Sequence, residues 1–200
     1  MTEARPTLRS LLALPDKPAP LSKSALVMID CQNTYREGIM QLEGVEPALQ
    51  ECAKLLARAR DAGTTIIHIQ HDAGPGSPYD VNAPIGAIAD VVAPATGEIV
   101  ITKAYPSSFE QTNLDIELKN RDISELVLAG FMTHVCVNST ARAAFNLGYR
   151  TTVVGNATAT RALASPLGGV LPAETVHNSA LAALADIFAI VVPSQESIPS

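Results

Sequence analysis

Six short apolar runs rich in β-branched residues recur along this chain, and stretches with helical periodicity separate most of them. The runs are SALVMID ending at Asp30, TTIIHIQ ending at Gln70, EIVITK ending at Lys103, LVLAG ending at Gly130, TTVVGN ending at Asn156 and FAIVVP ending at Pro193. Continuous apolar runs of this length read as strands buried on both faces. Between them, VEPALQECAKLLARARDAG has apolar residues at helical spacing and stops at Gly63, TARAAFNLG stops at Gly148, and PAETVHNSALAALADIF opens on Pro172, a favoured residue at a helix start. Alternating strands and helices build βαβ units, so the expected fold is α/β with a parallel sheet covered by helices on both faces.

Composition fits such a fold and narrows the partners. The chain has 200 residues, 47% hydrophobic and 17% charged, enough for one domain with a sizeable core. Its net charge of -6 and the lack of any dense Lys/Arg cluster argue against nucleic acid or an anionic membrane surface and favour a small molecule. Three cysteines are an odd count, unlike a disulfide framework, and point to a reducing, cytoplasmic setting. The start MTEARPTLRSLLALPDK offers only the apolar run LLAL, too short for the core of a signal peptide, and no stretch reaches membrane-spanning length. Residues 1–21 read as an N-terminal arm and 22–200 as the folded domain. The segments 72–97 and 157–171 are long and rich in Gly, Pro and Ala, which suits lids or subunit contacts, with a solvated linker as the alternative reading, and a homo-oligomer is expected.

In an open parallel sheet, ligands bind beyond the carboxyl ends of the strands, where the strand order reverses. The strand-end residues are Asp30, Gln70 with His71, Lys103, and Cys136 in LVLAGFMTHVCVNST, where a strand gives way to a helix. Each also suits an ordinary structural role: a turn cap for Asp30, a solvated charge for Lys103, packing for Cys136. Together they supply a proton acceptor, a cation and a nucleophile on one rim, the set that thiol-based acyl transfer requires. A helix start beside Cys136 would favour its thiolate. Cys31 follows Asp30 and points the other way along an extended chain, and Cys52 falls within a helix, so both read as packing residues. His134 is only two residues from Cys136, which does not suit a Cys–His pair, and His68 falls inside a strand. His68, His71 and Asp72 lack the spacing of a known metal motif, so neither a metal nor another cofactor is expected.

Three ordered stretches, ALVMIDCQNTY, the lysine of VITKAYPSSF, and LVLAGFMTHVCVNSTARAAFNLGYRTTVV, resemble the isochorismatase-like cysteine hydrolases, a superfamily that includes nicotinamidase and N-carbamoylsarcosine amidohydrolase. The resemblance covers about residues 22–193. It implies a doubly wound three-layer sandwich with six parallel strands in the order 3-2-1-4-5-6, and a catalytic triad of Asp30, Lys103 and Cys136. It further implies a cis peptide between Phe131 and Met132, and an oxyanion hole formed by the amides of Met132 and Cys136. Two departures matter. QHDAGPG lacks the DxH pattern of the metal-dependent nicotinamidases, and Asn156-Ala157 stands where the family commonly has Asp-Ala.

The expected activity is therefore metal-independent cleavage of a C–N bond in a small amide, lactam or imide through a Cys136 thioester. Tyr35, Tyr105, Phe131, Met132 and Phe109 fall in or near the expected pocket, with core packing an equal reading for Phe109. Arg161 would meet a substrate carboxylate if its loop folds over the site. A metal-dependent nicotinamidase-like deamidase and a catalytically silent small-molecule-binding protein of the same fold are the alternatives.

Overall fold

The computed structural model describes residues 5–200. Of the proposed N-terminal arm, residues 1–4 lie outside the described part. A single turn of helix, α1 (Leu8–Leu11), follows, capped by the Thr7 hydroxyl. The remaining elements are β1 (Ala25–Ile29), α2 (Val45–Asp61), β2 (Thr65–His71), β3 (Ile99–Lys103), α3 (Leu114–Lys119), β4 (Glu125–Phe131), α4 (Asn138–Asn146), β5 (Arg150–Ala159), a two-stranded ribbon of β6 (Leu163–Ala164) and β7 (Val170–Leu171), α5 (Ala173–Asp186) and β8 (Ile190–Val192). Six strands form the sheet in the order β3-β2-β1-β4-β5-β8, all parallel. With the small ribbon left out of the count, this is the expected order 3-2-1-4-5-6.

β1 shows why the sheet must be covered twice. All five of its residues are buried, and successive side chains of a strand point to opposite faces. Leu26 and Met28 pack with Leu49, Cys52, Leu55 and Leu56 of α2. Ala25, Val27 and Ile29 pack on the other face with Leu114 and Leu118 of α3, Ala141 and Ala144 of α4 and Leu184 of α5. Each large apolar side chain removed from water in this way contributes about 1.5–3 kcal/mol. The order reverses at β1, whose neighbours β2 and β4 run away on either side, so the carboxyl ends of these strands open the crevice.

The structure departs from the sequence reading in three places. β5 does not stop at Asn156: after a register shift its end pairs again with β4, Thr158 opposite Gly130 and Ala159 opposite Phe131. The expected loop 157–171 therefore begins as strand and continues into the ribbon. Gly130 makes the shift possible. Its φ is +115° and a Cβ there would collide with the Ile29 carbonyl, so only glycine fits. Second, α3 has six residues, too few for periodicity to reveal it. Third, the segment 72–97 is coil and short turns that fold back over the sheet end, with Ala89 and Val92 buried against α2. The arm docks on the far end of α5, where the Leu8 N–H donates to Asp186 and the Arg9 guanidinium to the Ile187 carbonyl. No helix among the described residues is long and apolar enough to cross a membrane.

The start of β3 is tied to α2 and β2 by Glu98. Its carboxylate accepts from Arg60 at 2.7 and 2.9 Å, from His68 Nε2 at 2.8 Å and from the Ala95 N–H at 2.8 Å. These donors, Arg60 foremost, hold the carboxyl down to about 2. A carboxyl depressed on folding contributes stability that is complete above its unfolded value and is lost as pH falls through the folded one. Thermal melts between pH 5 and pH 2 should therefore show a shallower acid decline for Glu98→Gln than for the parent protein; equal slopes would remove Glu98 as a source of acid lability.

Candidate active site

β1, β2, β3 and β4 each deliver one element of the site at their carboxyl ends. Asp30 follows β1 with φ +49°, in the left-handed region that Asp tolerates better than most residues. This turn is held by the Asp30 N–H donating to the Ile69 carbonyl and by the Gln32 N–H donating back to Asp30 at 2.7 Å. The Asp30 side chain is wholly buried. Lys103, the last residue of β3, is also buried and sets its Nζ 2.7 Å from Asp30 Oδ2. The contact is an ion pair without hydrogen-bond alignment, and among the described residues neither Asp30 oxygen has a hydrogen-bond partner. The same Nζ lies 3.4 Å from Cys136 Sγ and 3.2 Å from His71 Nδ1. The three residues read from the strand ends and the resemblance thus meet around one ammonium group.

Cys136 does not sit at the first turn of a regular α-helix. It lies in a π-helical turn, Thr133–Val137, that runs into α4. Burial pushes its thiol up to about 12; the Asp30 carboxylate acts in the same direction, and Lys103 opposes both. Desolvation and the facing carboxylate outweigh the helix start, so the thiol form is favoured at neutral pH, in the direction expected of a carboxylate beside the sulfur. Burial also raises the Asp30 carboxyl, with Lys103 pulling it back. Asp30 and Cys136 titrate as an interacting pair.

The peptide bond between Phe131 and Met132 is cis. Among the described residues the Met132 N–H finds no backbone acceptor, while the Met132 carbonyl accepts from Val135 and Val137.

Beside the thiol is a cavity of about 150 Å³ lined by Tyr35, His71, Tyr79, Pro106, Met132, Val135 and Cys136. This is well below the roughly 300 Å³ at which drug-sized pockets begin, so its occupant is small. Tyr35 and Met132 lie where the sequence placed them. Phe131 is fully buried behind Tyr35, ring centroids 5.7 Å apart, and Tyr105 is exposed on the surface; neither lines the cavity. Phe109 stacks on Tyr149 in the core. Arg161 lies outside the lining, but its charge adds to burial in lowering His134 and opposes the burial that raises Tyr79, and its buried Nε has no partner among the described residues.

Tyr79, Pro106, Val135 and Gln32 were not singled out from sequence. Tyr79 reaches the site only because the loop 72–97 folds back, and it packs edge-on against Tyr35 and His71. Gln32 is fully buried; its side-chain amide accepts from the His71 N–H at 2.9 Å and donates to the His71 and Gly86 carbonyls at 2.9 and 2.7 Å. Its spacing of two from Asp30 was the available signal. Cys31 and Cys52 lie in the other core layer, on the α2 side of the sheet. His134 turns to Thr160, and Asn156 is exposed, its N–H donating to Pro193.

With this geometry in hand, the comparisons are direct. The isochorismatase domain model matches residues 24–196, so the chain belongs to the isochorismatase family. A crystal structure of an isochorismatase from Pseudomonas putida KT2440 is 38% identical with a TM-score of 0.93, covering 98% of this chain and 100% of that one. A secreted isochorismatase effector of Verticillium dahliae is 35% identical over 191 residues, 95% of this chain and 98% of its own length. A ureidoacrylate amidohydrolase of Stutzerimonas stutzeri is 33% identical over 185 residues, 72% of this chain and 75% of its own length.

If Asp30 faces the thiol as a charge, Asp30→Asn should lower the Cys136 pKa and speed its alkylation by iodoacetamide at pH 8 by about tenfold or more, because a pKa lower by one gives about ten times as much thiolate. Peptide mass mapping reads the rate at Cys136 alone; an unchanged rate would separate Asp30 from the thiol.

Proposed function

We propose that this protein is a cysteine hydrolase that cleaves the C–N bond of a small amide, lactam or imide without a metal ion. The observation that carries this reading is the single buried ammonium of Lys103, within 2.7 Å of a carboxylate and 3.4 Å of a thiol, beside a cavity of small-molecule size. The kinship with an amidohydrolase supports the bond type.

The sequence of steps follows from the resting protonation. Cys136 begins as a thiol, so attack of Sγ on the carbonyl carbon is coupled to transfer of its proton to Asp30. Lys103 moderates the charge on the sulfur during the attack. The carbonyl oxygen becomes an oxyanion and accepts from the N–H groups of Met132 and Cys136, each donor worth about 3–4 kcal/mol at such a site. Asp30 then gives its proton to the nitrogen as the C–N bond breaks, leaving a thioester on Cys136. Water attacks the thioester, its proton passing to Asp30, and the carboxylic acid departs as Sγ recovers a proton.

Tyr35 and Tyr79 wall the cavity and favour a flat or partly apolar substrate. Arg161 supplies the cation for a substrate that also carries a carboxylate. Three free, buried cysteines suit a reducing compartment.

Two measurements test the reading. In a screen of small amides, ureas and lactams, Cys136→Ala should lose turnover by at least about 10³-fold, whereas Cys31→Ser and Cys52→Ala should keep most of it in their folded fraction; an active Cys136→Ala would end the mechanism. Protein dialysed against a chelator should keep its full rate. Activity lost on chelation and regained with zinc or iron would point instead to a metal-dependent deamidase, and a failure to trap any acyl adduct across the screen to a binding protein of the same fold.

A further inference from the structure

His71 has no role in the mechanism above, yet it touches the site at three points. Its ring lines the cavity, its Nδ1 lies 3.2 Å from Lys103 Nζ, and its backbone is clamped on both sides by the buried Gln32 amide. An ammonium group has three protons and no lone pair. Around Lys103 Nζ lie Asp30 Oδ2 as ion-pair partner and Cys136 Sγ and His71 Nδ1 as hydrogen-bond partners. Removing the imidazole would leave Lys103 without that acceptor and with freedom to swing from the sulfur.

We infer that His71 is a positioning residue for Lys103: its Nδ1 accepts an ammonium proton and thereby fixes the cation against Cys136 and Asp30. The contact also selects the tautomer. Because Lys103 can only donate, Nδ1 must be bare and the ring proton must sit on Nε2. Nε2 has no hydrogen-bond partner among the described residues, so on a ring that lines the cavity its N–H is available to a carbonyl oxygen of the occupant. Burial and the Lys103 charge push the imidazole down to about 4, which keeps it neutral at physiological pH. Gln32 makes the placement rigid, since a shift of His71 would break two hydrogen bonds of a fully buried amide.

The inference rests on the placement of Lys103 beside the thiol and needs no amide substrate, so it stands or falls separately from the proposed hydrolysis. The experiment is the pH–rate profile of Cys136 alkylation by iodoacetamide, read by peptide mass mapping, for the parent protein, His71→Asn and His71→Leu. The charged or titratable groups around the thiol are Asp30, Lys103, His71, Tyr35 and Tyr79, and only His71 changes in the series. Asn places its Oδ1 where Nδ1 stood and keeps an acceptor for Lys103, whereas Leu removes it. His71→Asn should stay within about twofold of the parent profile, and His71→Leu should alkylate about tenfold more slowly at pH 8, with its profile moved upward, the size expected for one charge-assisted hydrogen bond. Long-range ¹H–¹⁵N spectra of the labelled protein give a second readout: at neutral pH His71 should be the Nε2–H tautomer, and Lys103→Met should release it to a mixture. Equal alkylation by all three proteins, equal slowing of Asn and Leu, or an Nδ1–H tautomer in the parent would each overturn the assignment.

Discussion

The buried ion pair of Asp30 and Lys103 is the interaction around which the carboxyl end of this sheet is organised. Two charges with no exposed side-chain surface cost several kcal/mol each to desolvate. Their mutual attraction offsets this only if the geometry is held, and removing one partner of such a pair costs about 3–5 kcal/mol because the other is left uncompensated. The pair spans two strands that are not neighbours: β1 carries Asp30, β3 carries Lys103, and β2 lies between them. The gap is closed by the long Lys103 side chain on one side and, on the other, by a turn directly after β1 that carries Asp30. The left-handed φ of Asp30 provides that turn.

That pair sets the chemistry of the thiol beside it. A sulfur in a buried site is already disfavoured as an anion, and Asp30 disfavours it further. Lys103 reduces this cost without removing it. The outcome differs from a free-standing thiolate of the kind found where a helix N-terminus and a cation act alone. In the proposed hydrolysis the proton leaves during attack, and the carboxylate that joins burial in raising the thiol is the group that would receive it. Opposed electrostatic effects in one small volume couple nucleophile and proton acceptor more tightly than either would be alone.

The surroundings serve placement. Gln32 fixes the His71 backbone, Gly130 lets β4 approach the Ile29 carbonyl, and the rings of Phe131, Tyr35, Tyr79 and His71 follow one another edge to face from the core to the cavity. Phe131 contributes from behind, as the packed support of Tyr35. The segment 72–97, long enough in sequence to pass for a solvated linker, has its own buried residues in the core on the α2 side and brings Tyr79 to the thiol.

Alternation of apolar runs with helical patterns determined the fold class, because a strand buried on both faces and an amphipathic helix each leave a local signature. The strand-end positions of Asp30, Lys103 and Cys136 were likewise legible, since parallel strands carry their last residues to one edge. What lay beyond the sequence depended on contacts between distant segments. The end of β5 is strand because Thr158 and Ala159 find β4 after a shift at Gly130. Tyr79 and Gln32 join the site through a folded-back loop and a buried amide, and Tyr105 and Phe131 miss the cavity by facing solvent and core. For Cys136 the opposing effect of Asp30 followed from their shared strand-end rim, whereas the desolvation that raises the thiol most arises only when the strand ends close around the sulfur.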